Sequence, residues 1–152
     1  MEIMNITKKD YILLTALRTN ARQTLTQISK KTRIPISTLH ERLKSQEKNI
    51  IHRFATILDF TKLGFHTKVH FQIKTTPEQK ARLQSYLELH EQVNCLYKIA
   101  NDFDFFVEAV FEHVADVEEF IEILQEKFSI QDYNTQFISK DIKRESFLAS
   151  SC

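Results

Sequence analysis

Over the first fifty positions, apolar residues recur at three- and four-residue spacing. Tyr11, Leu14 and Leu17, with Ile12 and Leu13 beside them, follow Thr7-Lys8-Lys9-Asp10. The spacing and the Thr7 cap predict a helix over about residues 8–19. Thr24-Leu25-Thr26-Gln27 repeats the capping pattern and opens a short helix, with Leu25 and Ile28 inward, that ends near Thr32. After the turn Arg33-Ile34-Pro35, a third helix is expected from about Ser37 to Lys48, with Leu39 and Leu43 inward and Asn49 as its stop. Three short helices, the last two joined by a turn of about four residues, form a helix-turn-helix pattern. The β-branched run "IIHRFATILDF" then predicts a strand that makes the module winged or strand-tailed, and Gly64 turns the chain out of it.

From Thr67 the period changes to two. Val69, Phe71 and Ile73 fall on one face and Lys68, His70, Gln72 and Lys74 on the other, as in a half-buried strand. Pro77 opens a helical stretch carrying Leu83 and Leu87. "VNCLYKIA" and "FFVEAVFE" read as strands flanking the hairpin "NDFD". Val117, Phe120, Ile121, Leu124 and Phe128 sit at helical spacing, and "DYNTQFISKDI" returns to a strand. The order β-α-β-β-α-β is that of a ferredoxin-like unit. The expected fold is therefore α+β: a winged helix-turn-helix over 1–52, a linker strand and turn over 53–64, and a ferredoxin-like domain over 65–152.

Two helices cover only one side of a four-stranded sheet, yet the strand at 105–112 is apolar on both. Phe105, Val107, Ala109 and Phe111 form one set, Phe106 and Val110 the other, and Leu96 and Ile138 fall out of phase with their core neighbours. Leu96, Phe106, Val110 and Ile138 thus predict a second cover, and a second copy of the sheet makes a homodimer.

The net charge of +1 hides an asymmetry. Residues 1–64 hold twelve Lys and Arg against five Asp and Glu, a net of +7, whereas residues 65–152 hold nine against fifteen, a net of −6. A basic half joined to an acidic half points the first at a polyanion. Double-stranded DNA fits: Ser37 and Thr38 offer short polar donors at the start of the third helix. His40, Glu41, Arg42, Lys44 and Ser45 continue its surface, and Arg22, Lys30 and Lys31 border it.

Other chemistries find little support. His66 and His70 share a strand face, but four residues at ~3.3 Å each put their Cα atoms about 13 Å apart, too far for one metal. Cys95 and Cys152 stand in no metal or redox spacing, and neither a phosphate-binding glycine loop nor a cofactor motif is present. No apolar run reaches the roughly 18 residues of a membrane span, and the N-terminus lacks the order of a signal peptide, so a cytoplasmic location is expected.

The opening "DYILLTALRTNARQTLTQISKKT", the recognition helix "IPISTLHERLK", the linker "IHRFATILDFTKLGF" and the hairpin "NDFDFFVEAV" together resemble the Lrp/AsnC (feast/famine) family of transcription regulators over nearly the whole chain. The resemblance implies dimers built through the sheet domain, assembled further into tetramers or octamers. It also implies an amino-acid effector near a hairpin that in the family reads Gly-Asp-Phe/Tyr-Asp. Here Asp102, Phe103 and Asp104 match and Asn101 replaces the glycine. Hairpin N–H groups and Asp104 would hold the effector's carboxylate and ammonium. Gln46 departs from the family's buried leucine. Two alternatives accompany this reading. One is an architectural DNA-binding protein without an effector. The other is a sirohaem decarboxylase-like enzyme, for which "VNCLYKIAND" offers only Tyr97 and Lys98.

Overall fold

The computed structural model describes residues 6–100 and 102–149. The chain forms two compact units: residues up to Ile57 together with the segment from Ile142, and Leu58–Asp141.

The first unit holds α1 (Lys8–Thr19), α2 (Leu25–Thr32) and α3 (Ile36–Asn49). Thr7 and Thr24 cap α1 and α2, each within a reciprocal box closed by Asp10 and Gln27 respectively. Arg33 ends α2 in the left-handed region at φ 58°, and its N–H returns to Ser29 O at 2.8 Å. The Ser29 hydroxyl donates to Ile34 O at 2.6 Å, which holds the turn into α3. The apolar core of this unit is small: Leu13, Ile28, Ile34 and Leu39 are buried, with Leu17, Leu25 and Leu43 packed against them.

α3 begins at Ile36, one residue before the expected start, because Pro35 supplies the preset entry; Asn49 lies in its last turn. The strand expected over 50–60 does not form. Residues 51–59 have no regular structure, and Phe54, Ile57 and Leu58 are exposed. A lone extended segment has no ladder to complete within the chain, so the helical unit carries no wing of its own. A 3-10 turn at Phe60–Leu63 follows, closed by Gly64 at φ 97°, a conformation that costs a side-chain-bearing residue and not glycine. The segment beyond Ile142 groups with the helices rather than with the sheet. Arg18 at the end of α1 donates to Phe147 O at 3.1 Å and to Glu145 O at 2.7 Å.

The second unit is an antiparallel sheet of four strands, β1 (Thr67–Thr75), β2 (Val93–Lys98), β3 (Phe105–Phe111) and β4 (Ile130–Ile138), in the order β2-β3-β1-β4. α4 (Lys80–Leu89) and α5 (Val114–Lys127) contribute Leu83, Leu87, Val117, Phe120 and Leu124 to one core. That core meets Val69, Phe71 and Ile73 of β1 and Phe105, Val107, Ala109 and Phe111 of β3. Strict alternation of burial along β1 and β3 confirms the period of two. α4 begins at Lys80 rather than at Pro77, which lies in the turn before it.

Leu96 departs from expectation. The register of β2 against β3 shifts between Val93 and Cys95, and this bulge brings Leu96 opposite Val107, packed against the helix-side core. Leu96 is therefore removed from the uncovered face, and Tyr97, opposite Phe106 and 55% exposed, stands there instead.

Phe71 is 1% exposed and meets both Phe111 and Phe120. Phe71→Ala is expected to cost about 3–5 kcal/mol, read as a lower urea midpoint for loss of the sheet signal in circular dichroism.

Candidate nucleic-acid interface and effector site

α3 has two faces with different work. Leu39, Arg42, Leu43 and Gln46 form one stripe at three- and four-residue spacing, and Ser37, Glu41, Lys44 and Lys48 form the other, all four exposed. On the first stripe the buried groups are not all apolar. Asp10, 3% exposed, accepts from Arg42 Nη1 at 2.8 Å on both carboxylate oxygens and from Gln46 Nε2 at 3.0 Å. The Thr7 N–H and hydroxyl donate to the same carboxylate at 2.8 and 2.6 Å. Burial alone would raise the Asp10 pKa, but these hydrogen bonds outweigh it and lower the value from 3.8 to about 2.

This explains the glutamine at position 46 and corrects the reading of Arg42. Its guanidinium also reaches Thr7 Oγ1 at 2.8 Å, so Arg42 ties α3 to the start of α1 and does not stand on the outer face. Among the described residues, Arg42 Nε and Gln46 Oε1 are buried without hydrogen-bond partners. The polar node is thus strongly made on one side and incomplete on the other.

The remaining residues of the expected DNA face lie where the helix period puts them. Ser37, His40, Glu41, Lys44 and Ser45 are exposed along α3, Thr38 is half-buried, and Lys30, Lys31 and Arg22 are exposed on and before α2. Arg33, in the turn between the helices, is exposed as well. No side chain caps the N-terminus of α3, which leaves its first N–H groups open beside Ser37.

In the hairpin, Asn101 lies outside the described residues. Asp102 is exposed and Phe103 half-buried. Asp104 is fully engaged within the chain: Oδ2 accepts from Thr75 N at 2.9 Å, and Oδ1 meets Lys80 Nζ at 2.6 Å. Burial opposes ionisation, but the Lys80 and Thr75 contacts prevail and keep the carboxyl below its ordinary pKa. Its own N–H donates to Ile73 O at 2.9 Å. Asp104 therefore pins the hairpin to β1 and α4, with each carboxylate oxygen already holding one partner within the chain.

The uncovered sheet face carries Phe106, Val110 and Ile138, all half-buried, with Tyr97 beside Phe106 at 6.1 Å between ring centroids. Polar contacts close beside them: His70 Nε2 lies 3.0 Å from Glu108 Oε2, and Lys68 Nζ meets Asp141 at 2.7 Å. Among the described residues, no group of three or more His, Cys, Asp or Glu is placed to hold a metal ion. No described helix is long and apolar enough to cross a membrane.

A helix-turn-helix unit joined to a ferredoxin-like sheet with a paired, partly apolar open face defines a class of DNA-binding regulators with a ligand-sensing domain. The family model for the Lrp/AsnC ligand binding domain matches residues 68–148, just over half of the chain. An uncharacterized HTH-type transcriptional regulator of Pyrococcus furiosus is 24% identical over 148 residues, covering 97% of each chain. HTH-type transcriptional regulator FL11 of Pyrococcus abyssi is 24% identical over 140 residues, covering 91% of this chain and 93% of that one. Among solved structures, the L-Met complex of transcriptional regulator NMB0573 from Neisseria meningitidis superposes with a TM-score of 0.85 at 20% identity, covering 91% of this chain and 92% of that one. LrpC of B. subtilis gives 0.84 at 20% identity, covering 92% and 99%. The chain belongs to the Lrp/AsnC family and is a transcriptional regulator, not an enzyme.

Because the folded-state pKa of Asp10 lies below its unfolded value, the node contributes stability that is complete above about pH 4 and is lost as pH falls toward 2. The size is about 2 kcal/mol. Asp10→Asn is expected to lower the unfolding midpoint at pH 7 and to flatten its fall between about pH 4 and 2. Urea titrations across this range, followed by the helical circular dichroism signal, check both.

Proposed function

We propose that the protein regulates transcription by placing α3 in the major groove of duplex DNA as one half of a dimer joined through the open sheet faces. The carrying observation is the outer stripe of α3: Ser37 and Thr38 stand at an uncapped helix start, Glu41, Lys44 and Lys48 follow, and Lys30, Lys31, Arg33 and Arg22 lie on and around α2. Short donors and a carboxylate at the start of a helix suit base edges, and the lysines and arginines suit phosphates. Arg42 supports this work from behind by fixing α3 against α1.

Dimer formation through Phe106, Val110, Tyr97 and Ile138 is supported by the apolar groups gathered on that face, which the two helices leave uncovered. Two-fold pairing would present two α3 helices to sites about 34 Å or a multiple apart. Further assembly into tetramers or octamers, and a cytoplasmic location, are in keeping with the family. The effector is an amino acid or related metabolite received near the hairpin, where Asp102 and backbone N–H groups are the available partners. The L-Met complex of NMB0573 supports this class of ligand. The engagement of Asp104 favours, as a second reading, an architectural DNA-binding protein that answers no metabolite.

Fluorescence anisotropy on DNA selected from genomic fragments tests the reading. Each phosphate contact adds a slope of about −0.9 in log K against log salt, so Lys44→Ala is expected to reduce the slope by about one and keep sequence preference. Ser37→Ala is expected to relax preference at a base or two, by roughly 1–3 kcal/mol. Salt-independent binding, or none, would refute it. For the dimer, Phe106→Glu is expected to lower the mass seen by light scattering, and an unchanged mass would place the interface elsewhere. Calorimetric titration with L-Met and the other common amino acids separates the sensing reading from the architectural one.

A further inference from the structure

A cavity of the sheet unit lies at the other end of β3 from the hairpin, six residues or about 20 Å along the strand. It has a volume of about 330 Å³ and opens between the end of α4, the end of β3 and the first turns of α5. Its walls are aromatic: Phe65 precedes β1, Phe111 ends β3, and Phe120 stands 5.5 Å from the Phe111 ring. Its rim is acidic, formed by Glu112, Asp116 and Glu119. The period of α5 brings Asp116, Glu119, Phe120 and Ile123 to one side, so carboxylates and apolar wall face the same space.

No lysine or arginine lines this cavity to balance the rim. His90 is part of the wall, but burial pushes its pKa below its ordinary value, opposed by Glu91 and reinforced by Lys127, which favours the uncharged ring. Asp116 spends one oxygen on the His113 N–H at 2.9 Å, and neither Glu112 nor Glu119 takes part in an ion pair among the described residues. Three carboxylates therefore line a hollow that has Phe65, Phe111 and Phe120 in its walls. The complementary occupant carries positive charge against both rim and rings, and a carbon skeleton small enough for the volume. A free carboxylate on that occupant would find no cation in the lining and would meet the rim as a like charge.

We propose that this cavity binds a small organic amine: a molecule with one or two ammonium groups on an apolar skeleton and no carboxylate. The site is separate from the hairpin and gives the sheet unit a second input of different chemistry. It does not depend on the DNA-binding reading, because the ligand is held entirely within Leu58–Asp141.

The test is calorimetric titration of the full chain at neutral pH with 2-phenylethylamine, with putrescine, and with L-phenylalanine, which adds a carboxylate to the first amine's skeleton. Saturable binding of at least one amine is expected, with L-phenylalanine at least about tenfold weaker than 2-phenylethylamine. Glu119→Gln and Glu112→Gln, both at exposed positions and so compatible with folding, are each expected to weaken the amine about tenfold, the factor for one lost charge-assisted contact. Asp102→Asn in the hairpin is expected to leave amine binding unchanged. Absence of binding by both amines, equal binding of L-phenylalanine and 2-phenylethylamine, or indifference to both glutamate substitutions would each overturn the proposal. Loss of amine binding in Asp102→Asn would move the ligand to the hairpin and overturn it as well. Anisotropy on DNA without amine, run in parallel, reads the DNA-binding function independently.

Discussion

The carboxylate of Asp10 decides how α3 is held against α1. Among its described residues the helical unit fully buries four apolar side chains, and apolar packing is non-directional. Directional bonds from Arg42 Nη1, shared between both carboxylate oxygens, and from Gln46 Nε2 supply the missing constraint, since both must reach one carboxylate from neighbouring turns of α3. With that rotation set, Ser37, Glu41, Lys44 and Lys48 face outward together. The same node explains why a buried glutamine is tolerated in so small a core. It serves orientation, and the unpartnered Gln46 Oε1 and Arg42 Nε mark its energetic cost.

In the sheet unit the governing constraint is geometric. Two helices cover one face of four strands, and the chain answers the uncovered face with a mixture of half-buried apolar groups, a Lys68–Asp141 ion pair at 2.7 Å and a His70–Glu108 contact at 3.0 Å. A fully apolar face would invite indiscriminate association, and unpaired charges would forbid covering. The mixture permits a specific cover. At the two ends of the same sheet the polar groups serve opposite purposes: Asp104 is consumed in pinning the hairpin, and Glu112 and Glu119 are left unpaired around an aromatic hollow.

Much of this was legible in the chain because it depends on periods and caps. The capping boxes at Thr7 and Thr24, the alternation along β1 and β3, and the inward stripe of α5 are local patterns, and each forms where the residues say it should. The exceptions all involve partners distant in sequence. Arg42 reads as a surface cation until Asp10, thirty-two residues away, is seen to receive it. Leu96 reads as outward because a strand is assumed to keep its phase. Val93 and Leu96, three apart and both packed on the core, are the sequence trace of a bulge. The run at 50–60 has the composition of a strand, but composition supplies no hydrogen-bonding neighbour. Asp104 looks available in the hairpin because Lys80 and the Thr75 N–H lie outside the motif.

The central claim is that two copies, joined through their sheets, present two outward α3 stripes to one duplex. Hydroxyl-radical footprinting of the protein on its selected DNA reads this most directly. The account predicts two protected patches on one side of the helix, their centres separated by about 10 base pairs or a multiple, with protection lost in Lys44→Ala before sequence preference is lost. A single protected patch, or continuous protection without that period, would contradict it.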